Sequence, residues 1–210
     1  MSSARAKSTA KSYHHGDLRS ALIDAAMRIV AKEGASSLSL RAVAKDIDVS
    51  PAAPYHHFKN KQELLGAIVG VGLGQFNHVL RSSAKNGSSA DERLRDLGVA
   101  YVVFAIENPN LFELIQRPDF VGDSAPAHLA EERDENFRIL SEIISACMPN
   151  ASESQIRIGC AAAWSLVHGI AVLAINNRLN AVMPYEDLGS ATAELIEQIS
   201  FAKAIKREIR

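Results

Sequence analysis

The fold of this chain is decided by residues 39–58, which read SLRAVAKDIDVSPAAPYHHF. Ser39 is a favoured type of residue at the N-cap of a helix, and apolar residues follow it at helical spacing. These inward-facing residues are Leu40, Val43, Ala44 and Ile47. The stretch therefore opens with a short predicted helix, Leu40–Ile47.

A turn and a second short helix are predicted next. Residues 48–49 form the turn, Ser50 caps the second helix, and that helix runs over Pro51–His57. Pro54 is the fourth residue of this helix, so its missing N–H removes only one hydrogen bond, the one to the carbonyl of the cap residue Ser50. Two short helices joined by a turn are the minimal form of a helix-turn-helix, whose second helix enters the major groove of DNA.

The charge of the chain is divided unequally between its two ends. Residues 1–61 hold ten Lys/Arg and five Asp/Glu, a net charge of +5, whereas residues 62–210 carry a net charge of −6. Such asymmetry indicates a basic module for a polyanion joined to an acidic module. The hydrophobic fraction of 47% is sufficient for a sizeable core.

Apolar residues at helical spacing continue through the rest of the chain, and no period-2 strand pattern is found. A first helix begins near Asp17 and ends at Gly34, a residue that adopts positive φ cheaply. The later predicted helices are Lys61–Arg81, Asp91–Glu107, Asn110–Gln116, Ala127–Cys147, Ser152–Asn177 and Tyr185–Arg207. The fold class is therefore all-α.

Residues 13–69 resemble the N-terminal domain of TetR-family transcriptional regulators almost throughout. The specific parts are the helix end at 33–34, SLRAVAKDIDVS at 39–50 and PYHHFKNKQELL at 54–65. The family commonly has glycine in the turn where Asp48 stands, and Asp tolerates the left-handed conformation better than most residues. The most diagnostic residues of the resemblance are Tyr55, His57, Phe58 and Lys61.

The resemblance implies roles for individual residues of this segment. Arg41 is expected to read guanine, His56 is a possible polar base reader, and the two alanines can pack on thymine methyls. Phe58 is expected in the core, and the basic N-terminal tail is expected to reach a minor groove. The remaining contacts would go to phosphates. The predicted DNA-binding residues are Ser39, Arg41, Ser50, Ala52, Ala53, Tyr55, His56, His57, Lys59 and Lys61.

The C-terminal part also resembles a known domain type. AAWSLVHGIAVLAI at 162–175 and ENPNLFELI at 107–115 look like the WHG-type C-terminal domain of one TetR branch. In that family the last two long helices form a four-helix bundle with a second subunit. An apolar stripe suited to this lies on the last helix, at Leu188, Ala191, Leu195, Ile199 and Ala202.

The resemblance divides the chain into three parts. A flexible basic tail over 1–15 precedes a three-helix DNA-binding domain over 16–76, and residues 77–210 form a helical bundle for effector binding and dimerisation. The candidate effector-pocket residues are Phe76, Tyr101, Phe104, Phe112, Phe137, Trp164 and His168. Each of these aromatics can equally belong to the core, and His168 can hold a ligand or bond a backbone carbonyl.

The sequence thus predicts a homodimeric repressor that binds a palindromic operator in double-stranded DNA. A small apolar or weakly polar effector would release it. An architectural DNA binder without an effector stays open as an alternative. An enzyme is not expected, because Cys160 and His168 lie about 12 Å apart along one helix and no phosphate loop or metal spacing is found.

No cofactor, metal or membrane is expected either. The N-terminus has no apolar segment typical of a signal peptide, and the apolar run Ala161–Ile175 falls short of the ~20 residues that a membrane span needs. Cys147 and Cys160 are expected to be small hydrophobes in a reducing compartment. A soluble cytoplasmic protein is therefore predicted.

Overall fold

The computed structural model describes residues 15–85, 87–121 and 125–199, and this part of the chain is helical with no strand. The expected all-α fold is confirmed. The helices are α1 (His15–Glu33), α2 (Leu40–Asp46), α3 (Lys61–Ser83), α4 (Ala90–Glu107), α5 (Pro109–Ile115), α6 (Ala130–Cys147), α7 (Glu153–Ile175), α8 (Leu179–Val182) and α9 (Leu188–Ile199), with 3₁₀ segments at Ala53–His56, Pro118–Phe120 and Ala127–Leu129.

Most helix boundaries lie within one or two residues of the expected ones, and the main differences are in the second helix of the helix-turn-helix and in the C-terminal region. The last helix begins at Leu188 rather than Tyr185, because the Asp187 carboxylate accepts the backbone N–H of Ser190 at 2.7 Å and caps the helix there. The short helix α8 was not expected from the sequence. The basic tail up to residue 14 and the C-terminal residues from 200, including Ala202, lie outside the described residues.

The N-terminal helices α1, α2 and α3 pack around a shared core that contains Leu22, Val43 and Phe58. Ser39 caps α2 as expected, since its hydroxyl accepts the backbone N–H of Ala42 at 3.1 Å. The turn after α2 has Asp48 at φ 56°, the left-handed conformation anticipated from its family position.

The second helix of the expected pair is a 3₁₀ segment, so the prediction of an α-helix over Pro51–His57 is wrong. Pro54 has no N–H to give to the Ser50 carbonyl, and that carbonyl accepts from Ala53 at 2.9 Å instead. This bonding from residue i to residue i−3 continues in the next bond, in which the Tyr55 N–H donates to the Ala52 carbonyl at 3.1 Å. The Ser50 hydroxyl therefore caps no helix here, and only its backbone carbonyl takes part in the segment.

Helix α3 joins the N-terminal core to the C-terminal bundle, because it contacts α1, α4, α5 and α6. At its C-terminal end Arg81 binds two carboxylates of α6, Glu135 and, at 2.6 Å, Glu142. A second connection joins α5 to α1, where the Asn110 side-chain amide donates to the Ala31 carbonyl at 2.9 Å. The Asn110 bond therefore ties the C-terminal part to α1, and the Arg81 ion pairs fix the end of α3 on α6.

The apolar stripe of the last helix faces into its own subunit. Leu188 and Leu195 pack against the hydrophobic core, Ala191 is buried, and α9 lies against α4. Leu188, Ala191 and Leu195 therefore take part in packing within the subunit, and the larger exposed apolar side chains Ile158, Val172 and Leu173 lie on α7.

By length and composition alone, α3 and α7 are each long and apolar enough to cross a membrane. In α3 most of the apolar window, 56%, is buried within the protein, as in a core helix. In α7 the buried share is 28%, because apolar side chains such as Ile158 and Leu173 lie on its outer face. This helix begins at Glu153 and so exceeds the apolar run Ala161–Ile175.

Candidate nucleic-acid interface and effector cavity

The residues expected to contact DNA lie on the surface of α2, of the 3₁₀ segment and of the start of α3. Seven of the ten are exposed, and Tyr55 keeps 52% of its surface accessible. The half-buried members of the set are Ala53, His57 and Lys61. The structure thus brings polar and basic side chains together around the segment that the sequence singled out.

Phe58 lies in the core beneath the DNA-facing surface. Its side chain is 1% exposed, in the core as expected, and the Arg19 guanidinium lies 5.3 Å from its ring centroid. Pro54, four residues earlier in the chain, is also buried. Burial of these two residues fixes the backbone of the 3₁₀ segment, which leaves Tyr55 and His56 facing solvent.

The start of α3 is held by bonds that involve both predicted lysines. Asn60 caps the helix by accepting the backbone N–H of Glu63 at 2.9 Å, and the Glu63 carboxylate accepts the backbone N–H of Lys59 at 2.7 Å. The Lys61 ammonium donates to the carbonyl of Ser36 at 3.0 Å. Lys61 therefore also braces the loop before α2, a role that the sequence did not indicate.

A cavity of about 790 Å³ opens among α4, α6, α7 and α9. This volume falls within the range of small-molecule sites in proteins. Most of its wall is apolar, and α4 and α7 supply the largest share. The apolar and aromatic lining residues include Leu80, Leu94, Leu97, Tyr101, Phe137, Leu140, Ala163, Trp164, Val167 and Ile196.

The candidate pocket aromatics divide into two groups. Tyr101, Phe137 and Trp164 line the cavity. The other three phenylalanines are at most 5% exposed and lie in the core, where Phe76 stacks on Phe104 at 4.7 Å between ring centroids and meets Phe112 edge-on at 6.4 Å. Helical spacing identifies the inward face of a helix, but it does not distinguish the cavity wall from the packed layer behind it.

His168 lies behind the cavity wall and is tied to it through Tyr101. The Tyr101 hydroxyl accepts from Trp164 Nε1 at 3.2 Å and lies 3.0 Å from Nδ1 of His168. The expected bond from His168 to a backbone carbonyl is therefore replaced by a side-chain bond. Burial raises the pKa of Tyr101 to about 12 and lowers the pKa of His168, so both groups favour their neutral forms.

Charged residues surround part of the cavity, and sequence reasoning did not single them out. Arg95 binds Glu197 at 3.1 Å and Arg157 binds Glu153 at 2.7 Å, so these two guanidinium groups already have carboxylate partners. Arg133 on α6 also lines the cavity. The signal that could have located it is its position one helical turn before Phe137 on an amphipathic helix.

These features define a helix-turn-helix DNA-binding protein with a ligand-sized cavity in its helical C-terminal part. Residues 22–68 match the family model of bacterial regulatory proteins of the tetR family, and residues 94–198 match that of the tetracyclin repressor-like C-terminal domain. The second match spans half of the chain, and the chain belongs to the TetR family. It is accordingly a DNA-binding transcriptional regulator and not an enzyme.

Individual relatives agree with this assignment. The chain is 28% identical over 159 residues to the uncharacterised HTH-type transcriptional regulator YobS of Bacillus subtilis strain 168. This alignment covers 72% of this chain and 76% of YobS. It is also 28% identical over 138 residues to the HTH-type transcriptional repressor KstR of Mycobacterium tuberculosis, over 65% of this chain and 61% of KstR.

Solved structures show the same fold. A protein of unknown function from Rhodococcus sp. RHA1 superposes with a TM-score of 0.76 at 26% identity, over 91% of this chain and 97% of that chain. The regulator FadR from Bacillus subtilis, solved in complex with stearoyl-CoA, superposes with a TM-score of 0.65 at 18% identity, over 85% of this chain and 95% of that chain.

Proposed function

We propose that this chain is a cytoplasmic, homodimeric repressor that leaves a palindromic operator when a small apolar or weakly polar effector fills the cavity. The observation that carries the proposal is the course of α3. This helix begins at Lys61, beside the recognition segment, and its residue Leu80 lines the cavity. One rigid element therefore connects the DNA-facing surface with the ligand-sized space.

The cavity favours an effector-responsive regulator over an architectural DNA binder. A binder without an effector would have a fully packed C-terminal core, whereas a cavity of about 790 Å³ opens between the helices of this bundle. FadR, which shares the fold, was solved with stearoyl-CoA, and KstR is a repressor by name. An effector would bias the equilibrium between two states of the protein that differ in the position of α3, because it binds one state more tightly than the other.

The outer face of α7 (Ile158, Ala162, Ser165, Gly169, Val172 and Leu173) supports dimerisation. Its larger members are exposed although they are apolar, and a Cβ added at Gly169 would meet no atom within 4 Å. Small residues between apolar ones allow a partner helix to approach closely. A twofold dimer on this face would present two recognition segments to one palindrome, about 34 Å apart.

DNA binding is tested by a mobility-shift assay on the region upstream of the gene. Lys59→Ala and Tyr55→Ala should weaken binding on all sequences, because they remove phosphate contacts, while Arg41→Ala should relax one base position at a cost of about 1–3 kcal/mol. Lys85→Ala is the matched control, since this exposed lysine follows the other end of α3, a helix about 35 Å long.

Wild-type affinity in all three variants, or the same loss in Lys85→Ala as in Lys59→Ala, would show that the DNA face lies elsewhere. Absence of any salt-sensitive specific complex at this or neighbouring promoters would contradict the operator part of the proposal.

Dimerisation is tested by sedimentation of the full chain. Val172→Asp places a charge on the outer face of α7 and should give a folded monomer that loses operator binding. Val182→Asp is the control, because Val182 is 87% exposed on α8 and its replacement should leave the dimer intact. A Val172→Asp protein that stays dimeric would contradict the proposed interface.

A further inference from the structure

The cavity wall carries one cation, Arg133, that has no partner among the residues that the structure describes. Arg133 lines the cavity, and neither an ion pair nor a hydrogen bond joins its guanidinium to any residue that the structure describes. Its Nε is buried and lacks an acceptor. An enclosed polar group without a partner costs free energy, so such a group is a candidate for binding an external acceptor.

The other cations of the cavity differ from Arg133 in this respect. Arg95 binds both Asp96 and Glu197, and Arg157 binds Glu153 on its own helix. Burial also lowers the pKa of Arg133, whereas carboxylate hydrogen bonds raise the pKa of Arg95. A ligand that enters the cavity would therefore find the guanidinium of Arg133 available and that of Arg95 already occupied.

The acidic residues of the cavity wall do not neutralise Arg133 in this structure. The Glu92 carboxylate accepts the backbone N–H groups of Ser88 and Ser89, at 2.7 and 3.2 Å, and this bonding lowers its pKa. Asp91 is exposed at the first turn of α4. Asp91 would attract a cationic ligand, whereas Arg133 would attract an anionic one. The sign of the charge that the cavity prefers therefore tests which of these two residues selects the ligand.

The space next to Arg133 is suited to an apolar chain. Phe137 and Leu140 follow Arg133 on the same face of α6, and Leu94 and Trp164 line the cavity from α4 and α7. An apolar wall with a single unpaired cation is complementary to a molecule that is apolar along its length and anionic at one end.

We propose that the effector is an amphipathic anion, a carboxylate with an apolar chain, whose head group binds the guanidinium of Arg133. A carboxylate matches the planar fork of arginine and would supply the acceptor that Nε lacks. This inference deepens the proposed function and rests on it, because it names the chemical class of the effector and the residue that selects it.

The test is calorimetric titration of the full chain, without DNA, with three probes of one chain length: decanoate, decanol and decyltrimethylammonium. Trp164 is the only tryptophan of the chain and lines the cavity, so its fluorescence reports whether a probe enters there. We expect decanoate to bind about ten- to a hundredfold more tightly than decanol, as for hydrogen bonds to a charged group. Decyltrimethylammonium should bind more weakly than both.

Arg133→Met should abolish the preference for decanoate and leave decanol affinity unchanged, which also shows that the cavity is intact. Arg157→Met is the matched control, because this arginine lines the same cavity but already has a carboxylate partner, and it should keep the preference. The proposal is overturned if no probe binds, if the cation binds best, if Arg133→Met keeps the preference, or if Arg157→Met abolishes it equally.

The two proposals fail separately. Charge-selective binding through Arg133 without operator binding would overturn the repressor function alone. Operator binding by a chain that does not prefer decanoate would overturn only the anionic effector.

Discussion

The hydroxyl of Tyr101 lies 3.0 Å from Nδ1 of His168 and joins α4 to α7 directly behind the cavity. The same hydroxyl accepts the indole N–H of Trp164, which leaves its own proton for the neutral imidazole. Trp164 and His168, which belong to the WHG-type motif on α7, thus both hydrogen-bond to Tyr101 on α4. Tyr101 and His168 satisfy each other away from bulk solvent, so removing the Tyr101 hydroxyl is costly for the imidazole.

Replacing Tyr101 by phenylalanine should lower the free energy of unfolding by about 1–2 kcal/mol. The half-buried His168 loses its partner, whereas the Trp164 N–H, on a side chain that is 50% exposed, can bind water. Urea denaturation followed by circular dichroism measures the change. Tyr185→Phe is the control, since no hydrogen bond of the Tyr185 hydroxyl is found among the described residues. Equal stability of Tyr101→Phe and wild type would contradict the assigned bonds.

The pH dependence of stability should carry a contribution from His168. Burial lowers its pKa in the folded chain, so below the ordinary value of about 6.5 the unfolded chain takes up a proton that the folded chain resists. The free energy of unfolding should therefore fall as the pH falls from about 6.5 towards the lowered folded pKa. Tyr101 stays protonated throughout this range, because its pKa is about 12.

The measurement is urea denaturation at about pH 7.5 and about pH 5.5, on wild type and on His168→Gln. Glutamine keeps a polar group for Tyr101 but does not titrate, so the variant should lose less stability on acidification. Other titrating groups are common to both chains and cancel in the comparison. An equal loss in the two proteins would mean that His168 is protonated as easily in the folded chain as in the unfolded one.

The turn of the helix-turn-helix makes a prediction about backbone strain. Asp48 has φ 56°, so Asp48→Gly should keep or raise the free energy of unfolding, and Asp48→Val should lower it by about 1–2 kcal/mol. Thermal denaturation of both variants measures this. Asp24→Val, on the exposed side of α1, is the control, because valine and aspartate have similar helix propensities. Equal losses in the two valine variants would show that the turn carries no strain.

Local rules predicted the helix boundaries well because caps and breakers act over a few residues. Ser39 and Ser152 cap α2 and α7 through bonds within one turn, and Gly34 ends the first helix at φ 79°. The same local argument was wrong for residues 51–57. Counted along the chain, Pro54 removes a single terminal N–H bond, but the segment responds by taking the 3₁₀ bonding pattern.

The sequence by itself determined the helical class, the helix-turn-helix segment and the family, because capping, periodicity and motif spacing are written in neighbouring residues. Only the tertiary structure decided that Phe76, Phe104 and Phe112 are core while Tyr101, Phe137 and Trp164 line a cavity. It also decided that α9 packs against α4 and that Arg133 lines the cavity without a partner among the described residues. The physical reason is that periodicity defines the inward face of a helix, whereas the packing of several helices decides whether that face meets another side chain or an empty volume.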